Sequence, residues 1–484
     1  MAFSRRGEEP PPKPRPPDGR AAAPDGPEAD RGAPRAAYLA RHERHERARA
    51  AAAARSLRLS NLRALTFVAG ALALLAYDVL EPPREAAALA AVGLLVLVFA
   101  AQVRLHRRVR RQERREAVLA ALAREGLLRL DRDWAALAAA LPAAERAQPE
   151  PEPDHPYARD LDVLGAASLL RLAGPVTSER GRALLVSWLL APAPPDEVRA
   201  RQEAVRELAG AAELRAEVTA LGRLAEPRSF TGIDALLSWA EGEPWILDRT
   251  WLRAASWVLP PLVLGGLLAQ LLLGSPPWWI LPALPQLAVL RRVSRWAGPT
   301  FATAAEGGSA LRGLVPQLAI LEERPWEADR LRSVTERLGR GERSAHARLR
   351  RLSRLLDTVE SRRNAFYALL APLLLLDAHL GVALDRWRAA SGRSVRDWIE
   401  AAGEWEALAA LATVAHDHPR WTYPAFVDAD APRAALRLEA RALGHPLLHP
   451  DTCVRNDVTV GPPGTFLFVT GSNMSGKSTL LRAL

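Results

Sequence analysis

Two pairs of long apolar runs constrain the fold of this chain more than any other feature of its sequence. The first pair covers residues 64–80 and 86–103, and a Glu-Pro-Pro-Arg turn at 81–84 joins them. Each run is about the shortest that crosses a bilayer as a helix. A soluble helix keeps a polar face, which these runs lack. They predict a transmembrane helical hairpin, and the alternative is a hairpin buried in a soluble core.

The second pair lies far downstream and is less regular. Residues 254–273 are long enough to span, a Gly-Ser-Pro-Pro turn follows at 274–277, and residues 278–290 return. The return is short and contains Pro282 and Pro285, so it either spans or is re-entrant. Tryptophan suits the membrane interface, and this pair carries Trp257, Trp278 and Trp279.

Arginines flank the outer ends of both pairs. They are Arg55, Arg58, Arg63, Arg104, Arg107, Arg108, Arg110 and Arg111 for the first pair, and Arg249, Arg253, Arg291, Arg292 and Arg295 for the second. Positive flanks stay in the cytoplasm. We therefore expect a multi-pass protein of the bacterial inner membrane, with the lipid bilayer as a partner and with cytoplasmic helical and C-terminal regions.

The remainder of the chain is mainly helical in pattern and ends in the start of an α/β domain. We predict a disordered Pro/Arg-rich tail (1–35), a basic helix and first hairpin (36–116), a helical core (117–248), a second hairpin (249–296), a helical lever (297–426) and the beginning of a P-loop domain (427–484). Within these parts, 365–376 is expected to be a buried core helix because it is too short to span.

The net charge and the cysteine content limit the kinds of partner and of disulfide that this chain can have. The net charge of +10 suits an anionic partner, either nucleic acid or a lipid surface, and suits a solvated arginine surface equally well. The arginine-rich stretch 330–363 is the candidate for phosphate contacts, with a solvated helix face as the alternative. The single cysteine, Cys453, excludes an intrachain disulfide framework.

A phosphate-binding pattern stands near the C-terminus. The apolar residues 466–469 predict a buried strand, Gly-x-x-x-x-Gly-Lys-Ser follows, and a helix begins after it. Upstream, 434–443 predicts a helix, and 458–460 with 465–469 predicts a β-hairpin leading into the loop. Lysine is otherwise present only at Lys13, which makes a chance match improbable.

The pattern predicts which residues hold ATP and Mg²⁺. Lys477 is expected to reach the β- and γ-phosphates, and the Ser478 hydroxyl to bind Mg²⁺. The predicted nucleotide-binding residues are Gly471, Ser472, Asn473, Met474, Ser475, Gly476, Lys477, Ser478 and Thr479.

Hydrolysis requires a group that this motif does not contain. A P-loop ATPase carries an acidic residue on a later strand, and seven residues follow Lys477. We therefore expect the chain to be C-terminally truncated, with hydrolysis confined to the full-length protein and the catalytic residue unassigned.

The loop at 470–479 resembles that of the MutS family, the ATPases of DNA mismatch repair and their relatives. Asn473 and Met474 are the distinguishing residues, and Ser472 stands where the family usually has proline. Further similar segments are Thr177, 181–185, 188–190, Pro192, 201–205, 406–408, 445–448 and 456–458.

The resemblance implies an ATP-dependent DNA-binding protein. ATP would bind between the P-loop domains of a homodimer, and closure would move helical levers on double-stranded DNA. Mismatch sensors carry a Phe-x-Glu motif, which this chain lacks, so the resemblance is to a membrane-associated MutS-related branch in which mismatch specificity is open. The alternatives are an ABC-type membrane transporter ATPase, which needs more spans, and a non-enzymatic membrane scaffold.

Overall fold

The computed structural model describes residues 27–77, 84–147, 149–150, 152, 154–225, 231–427, 432–472 and 475–484. The described chain is mainly helical. The helices are α1 (Pro27–Tyr77), α2 (Arg84–Leu130), α3 (Trp134–Ala140), α4 (Ala143–Arg146), α5 (Leu169–Leu172), α6 (Glu179–Leu190), α7 (Pro195–Ala209), α8 (Ala212–Leu224), α9 (Thr231–Glu241), α10 (Thr250–Leu273), α11 (Ile280–Glu323), α12 (Asp329–Leu338), α13 (Ala345–Glu360), α14 (Ala365–Leu374), α15 (Leu376–Ser391), α16 (Val395–Asp417) and α17 (Lys477–Ala483).

The first apolar pair forms two long helices that pack along each other. Both α1 and α2 are long and apolar enough to cross a membrane. Their apolar side chains face outward, as Leu75 and Leu97 do, which suits contact with lipid. The predicted tail is wrong for residues 27–35, since α1 begins at Pro27. Residues 1–26, the last three residues of the first apolar run (78–80) and residues 81–83 of the predicted turn lie outside the described residues.

The second pair consists of α10 and the start of α11. Helix α10 is long and apolar enough to span, and it ends at Gly274, whose φ of 65° lies in the left-handed region that glycine favours. Helix α11 is not one of the three described helices that pass the same test. Its apolar run ends at Arg291 after only about 16 Å of helix.

Helix α14 corrects the prediction of a buried core helix at 365–376. Leu369 is 72 % exposed and Leu370 40 % exposed. The helix path bends by 81° between α14 and α15, at Leu375 with φ 50°. The Gln286 amide of α11 donates to the carbonyls of Pro372 (3.0 Å) and Leu373 (2.9 Å) near the bend. With the bend counted as one broken span, the candidate spans number up to four in the described chain.

One helical core contains segments from both sides of the second pair. Helix α16 is buried along most of its length and packs against α6, α7 and α12, while α11 packs against α8, α9 and α13. Leu236 of α9, Leu318 of α11 and Trp405 of α16 belong to the same buried cluster. The ends of the second pair are therefore anchored in a single body, and burial of these large apolar side chains stabilises it.

The C-terminal part differs from its prediction in two ways. Strand β1 (Leu438–Leu443) replaces the expected helix at 434–443. It pairs antiparallel with β2 (Asn456–Val460), so the expected hairpin between 458–460 and 465–469 is wrong. The expected buried strand at 466–469 is also wrong, because Phe466 is 87 % exposed and these residues form no strand. An α/β ATPase domain remains a prediction here.

Candidate phosphate-binding loop

The loop before α17 is shaped by one glycine with a left-handed backbone. Gly476 has φ 88°, a conformation that side chains with a Cβ rarely adopt. It turns the chain into α17, where the Leu480 N–H donates to the Gly476 carbonyl at 2.9 Å. The Ser475 N–H donates to the Ser472 carbonyl at 3.3 Å and closes the loop.

The Lys477 ammonium lies inside this loop. Its Nζ donates to the carbonyl oxygens of Gly471 and Ser472, each at 2.6 Å. Within the described residues it forms no ion pair with a carboxylate. The ammonium charge is thus met only by carbonyl dipoles, and an anion can take their place.

The structure brings most of the predicted nucleotide-binding residues together. Gly471, Ser472, Ser475, Gly476, Lys477, Ser478 and Thr479 form one turn and the first turn of α17. Ser478 is exposed on that turn, so its hydroxyl is accessible. Asn473 and Met474 lie outside the described residues. The binding of ATP and of Mg²⁺ stays a prediction.

Two polar contacts join the C-terminal part to the preceding chain. The Arg482 guanidinium of α17 pairs with the Asp162 carboxylate at 3.1 Å. Arg132, just after α2, donates from Nε to the Pro446 carbonyl at 2.9 Å, and Leu447 is buried. Partial burial lowers the pKa of His445 beside this junction. A change at the loop can therefore reach α2 and the core through direct contacts.

Two segments that lie far apart in the sequence, around residues 177–178 and 406, meet at a buried carboxylate. Glu406 of α16 accepts hydrogen bonds from the N–H groups of Thr177 (3.3 Å) and Ser178 (3.1 Å) and from both hydroxyls. Burial raises the pKa of Glu406, although these donors act in the opposite direction. The Ser178 hydroxyl also caps α6 by accepting from Gly181 N–H at 3.0 Å, as a serine before a helix does.

Close packing of two glycines completes this junction. A Cβ on Gly403 of α16 would lie 2.9 Å from the Gly181 nitrogen of α6. The two helices therefore approach at a distance that only glycine permits. The sequence carries one signal for this site: nine uncharged residues follow Glu406 before His416, and an acid that borders so long an uncharged stretch of helix indicates a buried partner.

The basic stretch 330–363 is only partly available for phosphate contacts. Arg330 pairs with Glu404 and Glu197, and Arg337 with Glu404 and Asp397. Further members contact protein groups, namely Arg348 with Ser391 and Arg362 with Asp377. The members that are exposed and form no ion pair within the described chain are Arg340, Arg343, Arg350, Arg351 and Arg354.

Comparison with known proteins adds no family assignment. No protein-family model, no curated protein and no solved structure matches the chain. Among the described residues, no group of three or more His, Cys, Asp or Glu side chains could hold a metal ion. The fold and the loop thus define a mainly helical protein with three helices apolar enough to span a membrane.

Proposed function

We propose that this chain is a membrane-tethered, ATP-binding protein of the MutS type that acts on double-stranded DNA as a homodimer. The observation that carries the proposal is the Lys477 ammonium of the Gly-x-x-x-x-Gly-Lys-Ser loop, which donates to two backbone carbonyls and pairs with no carboxylate of the described residues. The proposal rests neither on a buried strand before the loop nor on a strand that carries a catalytic acid. We therefore propose that this chain binds ATP, and we do not propose that it hydrolyses ATP.

The loop residues suit a triphosphate. Backbone N–H groups of the loop donate to phosphate oxygens, Lys477 compensates the negative charge, and Ser478 supplies a hydroxyl to Mg²⁺. When phosphate binds, the Lys477 ammonium breaks its hydrogen bonds to the carbonyls of Gly471 and Ser472 and forms new ones to phosphate oxygens. The contact between Arg482 and Asp162 offers a route by which this rearrangement moves the helical core.

ATP binding is the first test. The chain in lipid nanodiscs is titrated with a fluorescent ATP analogue and Mg²⁺, alongside Lys477→Ala. Loss of charge-assisted contacts worth about 1.5–3 kcal/mol is expected to weaken binding by about 10- to 150-fold. The control is Lys13→Ala, the only other lysine. Equal affinity in wild type and Lys477→Ala would overturn the nucleotide proposal.

DNA binding is tested on the exposed arginines of α13. In the variant with Arg350, Arg351 and Arg354 each changed to Glu, the slope of log affinity against log salt should fall by about 3 or less, since each lost phosphate contact contributes about 0.9. The control reverses three exposed arginines of α1, at Arg47, Arg49 and Arg55.

The DNA experiment has two informative failures. An equal slope change in both triple variants would mean that net charge, not α13, sets the affinity. No DNA binding by a chain that still binds ATP would overturn the DNA part of the proposal and favour a membrane scaffold. Mismatched and fully paired duplexes are compared in the same assay to measure mismatch specificity.

The tether is proposed to hold the helical core and the loop on the cytoplasmic side. The arginine flanks support this orientation. The two ends of each apolar pair also lie together: Tyr38 of α1 packs with Leu130 of α2, and α9 shares a core with α11. Each pair therefore crosses an even number of times.

A further inference from the structure

A buried arginine without a hydrogen-bond acceptor lies where the first membrane pair joins the helical core. Arg129, in the last turn of α2, is 4 % exposed. Its Nε is enclosed and makes no hydrogen bond. Within the described residues, its guanidinium donates to no acceptor and pairs with no carboxylate within 4.0 Å. Burying an uncompensated charge costs far more free energy than burying a paired one, so this arginine requires an anion.

A cavity of about 40 Å³ adjoins this guanidinium. Arg171 of α5 and Arg182 of α6 line the same cavity, together with backbone and apolar side chains around Pro175. These two guanidiniums donate to carbonyls at the end of α4: Arg171 to Glu145 at 2.9 Å, and Arg182 to Ala147 at 2.9 Å. The backbone therefore orients both guanidiniums beside the cavity.

More arginines than carboxylates line the cavity. The carboxylate that lines it, Glu145, already accepts two hydrogen bonds from Arg223, at 2.7 Å each. Burial lowers the pKa of Arg171 and of Arg182, and the positive charge of Arg182 lowers the pKa of Arg171 further. Three arginines and one carboxylate thus line the cavity, and that carboxylate also serves Arg223.

Asp417 does not remove the need for an anion. It lies near enough to Arg129 for the charge of that arginine to contribute to lowering the pKa of Asp417. Its Oδ1 accepts from Tyr38 at 2.7 Å and contacts His416 Nδ1 at 3.0 Å. Asp417 is therefore engaged by α1 and by its own helix, and it makes no ion pair with Arg129.

We propose that the cavity between Arg129, Arg171 and Arg182 binds a phosphate-class oxyanion. Guanidinium groups match the oxygen geometry of phosphate in pairs of hydrogen bonds. The volume suits inorganic phosphate or a similar tetrahedral anion and excludes a nucleotide. Because the three arginines belong to α2, α5 and α6, the anion ties the membrane pair to the helical core. The site is separate from the Lys477 loop.

The test uses the full chain in nanodiscs with Lys477→Ala, so that the loop contributes no phosphate binding. Isothermal titration with inorganic phosphate is expected to show one saturable site. Arg129→Gln, added to this variant, should weaken that site by about tenfold or more. Chloride at equal ionic strength controls for screening, and Arg47→Gln, an exposed arginine of α1, controls for the lost charge.

Thermal unfolding distinguishes a binding role for Arg129 from a structural one. Without phosphate, Arg129→Gln should unfold at the same temperature as its parent or higher, because a buried unpaired charge is removed. Phosphate should raise the Tm of the parent only. If Arg129→Gln fails to fold, Arg182→Gln provides the same titration. Phosphate binding that is equal in parent and variants, or absent from the parent, would overturn the proposal.

Discussion

At the scale of single residues, Glu406 makes the stability of the helical core depend on pH. Burial raises the pKa of its carboxyl above the usual value of 4.5, so the folded state holds this proton more tightly than the unfolded chain does. The stabilisation is complete below the unfolded pKa and is lost as pH rises through the folded pKa.

The variant Glu406→Gln removes this titration. As pH rises above 4.5 and through the raised pKa of Glu406, the Tm of wild type is expected to fall relative to that of Glu406→Gln. Thermal unfolding followed by circular dichroism at several pH values measures both curves. Parallel curves would show that the carboxylate is ionised in the folded state throughout, held by Thr177 and Ser178.

Whether a candidate site could be predicted from the sequence depended on how far apart its residues lie in the chain. The loop from Gly471 to Thr479 was found because a phosphate-binding turn is one contiguous segment, and the structure folds its described residues into one turn. Arg129, Arg171 and Arg182 could not be found in this way. They lie on three helices, and nothing in a chain rich in arginine marks them until the fold brings them together.

At the scale of elements, one buried arginine connects three helices. Arg223 of α8 donates to Glu125 of α2 at 2.7 and 2.9 Å and to Glu145 of α4. The three side chains are 6 %, 1 % and 8 % exposed. A buried network of this kind keeps its members together because removal of one leaves the others uncompensated.

Arg223→Ala is expected to destabilise the core by about 3–5 kcal/mol, because two buried carboxylates lose their common partner. The matched control is Arg47→Ala, which removes the exposed pair with Glu43 on α1 and should cost about 0–1 kcal/mol. Chemical denaturation of both variants in nanodiscs gives the comparison. Similar losses in the two variants would contradict the assigned role of Arg223.

Local signals predicted helices better than they predicted strands. Ser178 caps α6, as a serine directly before a helix does, and this signal depends on neighbouring residues only. Residues 438–443 consist of Leu, Ala, Arg and Glu, which favour a helix, yet they form β1. Pairing with β2, which lies thirteen residues further along the chain, overrides the local preference, and no local pattern reports such pairing.

At the scale of the whole molecule, the helical core sets the topology of the membrane helices. Segments on both sides of the second pair share one buried cluster. A crossing by α10 must therefore be reversed before the core resumes. The apolar run of α11 covers about 16 Å, which is less than the roughly 30 Å of a hydrocarbon core. Two arrangements satisfy this. In one, α11 crosses the membrane, and the turn of α11 that contains Arg291 and Arg292 lies within the bilayer. In the other, α10 does not cross the membrane.

Cysteine labelling separates these two arrangements. In a Cys453→Ser background, which removes the only cysteine, Pro277→Cys reports the tip of the second pair and Ser333→Cys reports α12. Both positions are exposed. With the core in the cytoplasm, an impermeant maleimide should label Pro277→Cys in right-side-out vesicles and Ser333→Cys only in inverted ones. The opposite pattern would reverse the orientation, since the arginine flanks would then lie outside. Labelling of both positions in inverted vesicles alone would mean that α10 enters the membrane without crossing it, so that only α1 and α2 tether the core.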